Sequence, residues 1–170
     1  MEHDYAVRVV GASVKAGALF LAVVEDTDDP ALLGRQVGGC TPRILPNAGL
    51  DMTGRIGDLY DRVTQELRAS SPDFLTILGT RKNNQWLYGH AVDRISIIST
   101  IHLASHHLQI PCREIKTEPV GRIVGQPANK LEGTPWWKFG YVSQPSYWTA
   151  GLAEAHAVAA QPLTEVWTEE

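Results

Sequence analysis

The sequence has no excess of basic residues, no apolar run long enough to cross a bilayer, and only two cysteines. Each shortage excludes something. Against 15 Lys and Arg stand 19 Asp and Glu, a formal net charge of −4. Every phosphate contact of a dedicated duplex binder needs a Lys or Arg, so this balance counts against tight nucleic-acid binding while leaving a local basic patch open. Cys40 and Cys112 fit no zinc-motif spacing and are expected as two thiols, not a disulfide. No stretch approaches the roughly 20 apolar residues of a spanning helix, so no membrane partner is expected. Glu2, His3 and Asp4 ahead of the first apolar run are unlike a secretory signal, and a cytoplasmic address is expected.

What is present is the pattern of one α/β domain over residues 1–170. Residues 5–13 and 18–25 are β-branched runs around a turn at 14–17, which predicts a hairpin. A third strand is expected within 35–45, weakened by Gly38, Gly39 and Pro42. Ile56, Leu59, Tyr60, Val63 and Leu67 share one face of a helix over 53–70. A short apolar strand follows at 73–79, then a polar loop at 81–85 and a second helix over 88–108. Residues 110–115 predict a fifth strand, 118–124 a short helix, and 149–161 a last helix stopped by Pro162. Strands feeding two crossover units build a mixed five-stranded sheet with helices on both sides. An aromatic-rich insertion at about 133–148 and a short acidic tail at 162–170 complete the chain.

That order is similar to the RNase H fold, and several segments resemble the RuvC-like family within it. Gly11 to Gly17 stands where that family has a Gly-x-Asp-Pro-Gly turn. Leu59 to Gln65, leading into Pro72, Asp73 and Phe74, is similar to the family's first helix and the entry to its fourth strand. Gly89 to Val92 matches the start of the second helix, and Ile110 with Pro111 precedes the fifth strand. Val120 to Gly125 with Lys130 looks like the helix and lysine region that follow. Ala153 to Ala159 resembles the closing Asp-Ala-x-Ala helix. The likeness spans about residues 5 to 160, as short matches in order rather than one specific motif.

The resemblance implies a nuclease site with two divalent metals, Mg2+ or Mn2+, about 3.5–4 Å apart. Several carboxylates must converge to hold two such hard cations. Their positions fall here on Ser13, on Leu78 or Gly79, on Gly151 and on Glu154, and only the last is acidic. A hydroxyl, an isobutyl group and a glycine cannot replace carboxylates on magnesium. The expectation is therefore a pseudo-nuclease without a cofactor, serving as an interaction module of a protein or nucleoprotein assembly. The resemblance also implies a homodimer through the second helix. The rival is a working metal-dependent nuclease acting on structured or single-stranded nucleic acid. For that, shifted acids such as Asp4, Asp51, Asp73 or Glu114 would have to serve.

Two further groups carry chemistry. His102 and His106 lie one helical turn apart, a spacing that can hold zinc, but Leu103 stands where a metalloprotease helix has its Glu. Trp136, Trp137, Lys138, Tyr147 and Trp148 form an unusual aromatic stretch. Three readings are open: a stacking surface for single strands joined by Lys15 and Lys130, a hot spot for a protein partner, or rings folded back over the core.

Overall fold

The computed structural model describes residues 5–80 and 87–165. β1 (Arg8–Lys15) and β2 (Ala18–Glu25) form the expected hairpin, paired antiparallel from Lys15↔Ala18 to Arg8↔Glu25. Its turn is tighter than the sequence suggests. Ala16 and Gly17 both take positive φ (51° and 75°), as a two-residue connection between twisted strands requires.

The expected third strand is two fragments, β3 (Arg35–Gln36) and β4 (Arg43–Ile44), both on the outer edge of β2. Gly39, at φ 99°, and Pro42 interrupt the run between them. α1 (Met52–Ser70) follows, then β5 (Phe74–Leu78), α2 (Tyr88–Leu108), β6 (Cys112–Ile115) and α3 (Thr117–Val124). β5 lies parallel to β1, and β6 parallel to β5. The sheet therefore runs β3-β2-β1-β5-β6 with β4 also paired to β2, and the mixed α/β architecture read from the sequence is present. The loop expected at 81–85 lies outside the described residues.

Alternation along β1 divides the core. Val10, Ala12 and Val14 pack beneath α1 and α2 with Leu59, Val63, Ile97 and Ile101. Val9 turns to the other face, where α4 (Ala153–Glu165) lies across the sheet. Gly11 makes that close approach possible: a Cβ there would sit 2.0 Å from the carbonyl oxygen of Ala155.

α4 is buried on all sides from Ala153 to Leu163, because residues 131–148 close over its outer surface. That segment makes two 3-10 turns, Leu131–Gly133 and Trp136–Phe139, and ends in a π-helical turn, Trp148–Leu152, leading into α4. Pro162 does not stop the helix, contrary to expectation; α4 continues to Glu165. Proline removes the N–H that would bond the carbonyl of Val158, four residues back. The Thr76 hydroxyl of β5 donates to that carbonyl instead, at 3.0 Å. The orphaned acceptor is satisfied across the sheet.

Candidate functional site

β1 and β5 lie side by side and parallel, so their C-terminal ends open on one cleft, with the start of α4 behind. The four positions where the sequence resemblance implies carboxylates come together there, and only one of them, Glu154, is acidic. Ser13 is buried, and its hydroxyl donates to the Gly151 carbonyl at 2.7 Å. Leu78 packs with Ile115, Val120 and Ala157 in an apolar cluster. Gly79, its neighbour, donates its N–H to Ile115 at 2.7 Å, and a Cβ there would come 3.1 Å from the same oxygen. Gly151 holds φ 151°, and a Cβ there would meet the Phe20 ring at 2.3 Å. A side chain of any kind is excluded at that position.

Glu154 is the one acid, and only 6 % exposed. Its Oε1 lies 3.5 Å from the Lys15 ammonium, a charge contact at the outer limit of hydrogen-bond distance, and has no other partner among the described residues. Burial raises the Glu154 carboxyl above the ordinary carboxylate range despite Lys15, and Glu132 adds to the rise. Arg94, reaching in from α2, bonds the carbonyl of Val14 and the Thr80 hydroxyl (2.6 Å), with Leu78 carbonyl at 3.5 Å. Burial lowers the Arg94 guanidinium from its ordinary value, and Glu114 opposes that; it stays charged. Two side-chain cations thus stand at the strand ends. The residues present do not fit a pair of divalent metals, and among the described residues no three His, Cys, Asp or Glu side chains are placed to hold one ion together.

The shifted acids do not repair this. Asp51 caps α1, accepting from Gly54 N at 2.8 Å. Asp73 accepts from Arg8 N at 2.9 Å at the entry to β5, the opposite end of the strand. Glu114 is engaged with His102 at 3.2 Å. Asp4 lies outside the described residues.

His102 and His106 do not act together. His102 sits between Glu114 and Cys112, whereas the ring of His106 lies 5.8 Å from that of His107. Cys40 and Cys112 are both free thiols; burial, with Glu66 nearby, pushes Cys40 up to about 12.

The aromatic segment divides by exposure. Trp148 was expected among the binding residues, yet it is 3 % exposed and its indole N–H donates to the Thr134 carbonyl at 2.8 Å. It cannot stack on a base or a partner. Trp136 is half-buried against the α4 cluster and edge-on to Trp137 at 5.3 Å. Trp137 remains exposed, and Tyr147 is exposed with the Arg43 guanidinium 5.0 Å from its ring centre. Lys130 is on the surface and Lys138 half-buried, its carbonyl accepting from Leu33 N at 2.8 Å.

Sequence reasoning missed three features. Arg94 carried no local signal, since nothing in its own helix reveals that it spans two strand ends. The Glu114–His102–Cys112 contact joins residues of separate elements. His156 looked like one polar residue in an alanine-rich helix. It is fully enclosed, its ring 4.7 Å from Trp148, 5.1 Å from Phe139 and 5.5 Å from Tyr141. Its Nδ1 donates to the Leu152 carbonyl and its Nε2 accepts from the Tyr141 hydroxyl, both at 2.9 Å. Burial lowers its pKa to about 4.

No family model matches the chain, and no curated protein matches it. Solved structures do. The chain is similar to Thermus thermophilus RuvC, with TM-score 0.75 and 17 % identity over 95 % of this chain and 97 % of that one. It is also similar to T. thermophilus RuvC in complex with a Holliday junction substrate, with TM-score 0.69, 17 % identity, and 95 % and 96 % covered. A yeast mitochondrial Holliday junction resolvase matches with TM-score 0.63 and 10 % identity, over 96 % of this chain and 82 % of that one. The fold is RuvC-like.

Proposed function

We propose that this chain is a RuvC-like module that does not hydrolyse phosphodiesters and works by binding, as a subunit of a protein or nucleoprotein assembly. The observation that carries this reading is the content of the cleft. Ser13 is committed to Gly151, position 151 admits no side chain, and Lys15 neutralises the single acid, Glu154. Two doubly charged ions need several converging carboxylates, and here they would meet an ammonium and a guanidinium.

A second copy of the chain is a favoured partner, along the outer face of α2, where Tyr88, Ile95 and Leu103 are exposed. Nucleic acid is a second partner class, supported by one of the similar structures, which is a Holliday junction complex. Binding of this kind would weaken with salt.

The test is calorimetric titration of the full chain with Mg2+ and Mn2+, with a four-way DNA junction as substrate in parallel. The expected result is no stoichiometric metal uptake and no cleavage. Stoichiometric uptake weakened by Glu154→Gln, together with cleavage, would reverse the assignment in favour of a metal-dependent nuclease.

A further inference from the structure

His102, Cys112 and Glu114 meet where α2 lies beside β6, the last strand of the sheet. Cys112 and Glu114 are two residues apart on one strand, so their side chains leave the same face. His102 comes from α2 to lie between them. Glu114 Oε1 is 3.2 Å from Nε2 of the imidazole, and Cys112 Sγ is 3.7 Å from Nδ1. An ionised carboxylate can only accept a hydrogen bond, so Nε2 carries the proton. In the neutral ring, the lone pair of Nδ1 then faces the thiol.

This is the arrangement of a metal-bound histidine and its neighbour. Sulfur and nitrogen on one tetrahedral zinc, with bonds of about 2.3 and 2.05 Å, stand about 3.6 Å apart. A carboxylate on the far ring nitrogen is the usual outer partner of such a histidine, orienting the ring and raising its basicity. The His102 and Glu114 side chains are 44 % and 48 % exposed, while Cys112 is half-buried against the core beneath α2. The site is incomplete, because no third ligating group joins it among the described residues.

The missing half is available from a second copy. Tyr88, Val92, Ile95, Ser99, His102 and His106 recur along α2 at alternating intervals of 4 and 3, the spacing of a seam between two helices. Ile97, Ile101 and Ala104 occupy the opposite face and are buried in this chain's own core. The outer stripe has no such cover: Tyr88 is 87 % exposed and Ile95 63 %. A twofold seam sets the same surface of each copy against the other.

We propose that two copies pair along α2 and share one soft divalent ion of the zinc class, held by His102 Nδ1 and Cys112 Sγ of each copy. Glu114 orients each imidazole. On binding, each thiol passes its proton to solvent as the sulfur–metal bond forms, so two protons leave per ion and no electron moves. The inference goes beyond the binding role proposed above and shares with it only the α2 seam. No residue of the cleft takes part, so the two readings fail separately.

The test uses the full chain, treated with a chelator and then titrated with Co2+, with absorption and sedimentation followed together. The expected result is one ion per two chains, a thiolate-to-cobalt charge-transfer band and intense tetrahedral d–d bands. Cys112→Ser and His102→Ala should abolish the bands, and Cys40→Ser should retain them. Glu114→Gln should weaken uptake about tenfold or more without loss of the fold. One ion per chain, bands that survive Cys112→Ser, or no uptake at all would overturn the shared site. A metal-free dimer with no cobalt uptake would do so too, while leaving the seam intact.

Discussion

The ammonium of Lys15, at the end of β1, stands 3.5 Å from the carboxylate of Glu154, which α4 holds 6 % exposed behind the strand ends. The two partners are unequal. Glu154 bears the full cost of leaving water, while Lys15 keeps nearly half its side chain in solvent, which screens the attraction. Burial wins, and the carboxyl is raised. A folded-state pKa raised above the unfolded one means that an acid opposes folding at neutral pH and ceases to do so as pH falls through the folded value. Glu154→Gln should therefore stabilise the protein at pH 7 in urea denaturation. Lys15→Ala should cost about 1 kcal/mol, and the double variant should recover that loss. Equal destabilisation by both single changes would refute the argument.

His156 titrates with the opposite sign. Its pKa is lowered to about 4 from 6.5, so the unfolded chain binds a proton that the folded chain refuses. The group costs nothing above pH 6.5, and the loss of stability grows as pH falls toward 4, reaching about 3 kcal/mol. Thermal unfolding followed from pH 7 to pH 4.5 should show a falling midpoint, and His156→Gln should flatten that slope. A wild-type midpoint independent of pH over this window would show that the ring is hydrated.

Gly11 sets the distance between α4 and the sheet. A methyl group there would lie 2.0 Å from the Ala155 carbonyl oxygen and 2.8 Å from the Ala159 Cβ, both on a fully buried helix. Gly11→Ala should cost about 3 kcal/mol, at the upper end for overpacking. Gly17→Ala, in the open turn with nothing within 4 Å, should cost about 1 kcal/mol, and only through its positive φ. A reversed order in chemical denaturation would show that the contact at Gly11 relaxes freely.

These residues also show how far the sequence could be read. The hairpin, α1 and β5 were legible because apolar periodicity and turn residues are local signals. That Ser13, Leu78 and Gly151 are not acidic was legible directly, and the order of elements placed them together. Arg94 was not, because its meaning lies in the carbonyls of Val14 and Leu78, distant in sequence. Trp148 was misplaced because an aromatic residue in a turn-rich segment reads alike whether it faces solvent or α4; only the Thr134 hydrogen bond decides. Pro162 misled for a similar reason, since Thr76 supplies the compensating donor from another element.

Ser13 allows the end of β1 to be tested for hidden metal affinity. Its hydroxyl donates to the Gly151 carbonyl at 2.7 Å, and both groups are buried. Ser13→Ala leaves that carbonyl without its donor and should cost about 1–3 kcal/mol. Ser13→Asp is harsher, because an ionised carboxylate cannot donate and would face the carbonyl oxygen directly. The aspartate should become tolerable only on protonation, so the gap between the two variants should narrow as the solution is acidified. A second acid at the strand ends would also bring Glu154 a potential co-ligand from β1. Ligand binding to the folded state would then show as a rise in the unfolding midpoint with metal concentration. With Lys15 and Arg94 already at the strand ends, millimolar Mg2+ should leave the Ser13→Asp midpoint unchanged. A clear Mg2+-dependent rise would mean that one substitution suffices to build a cation site there in spite of these two side-chain cations.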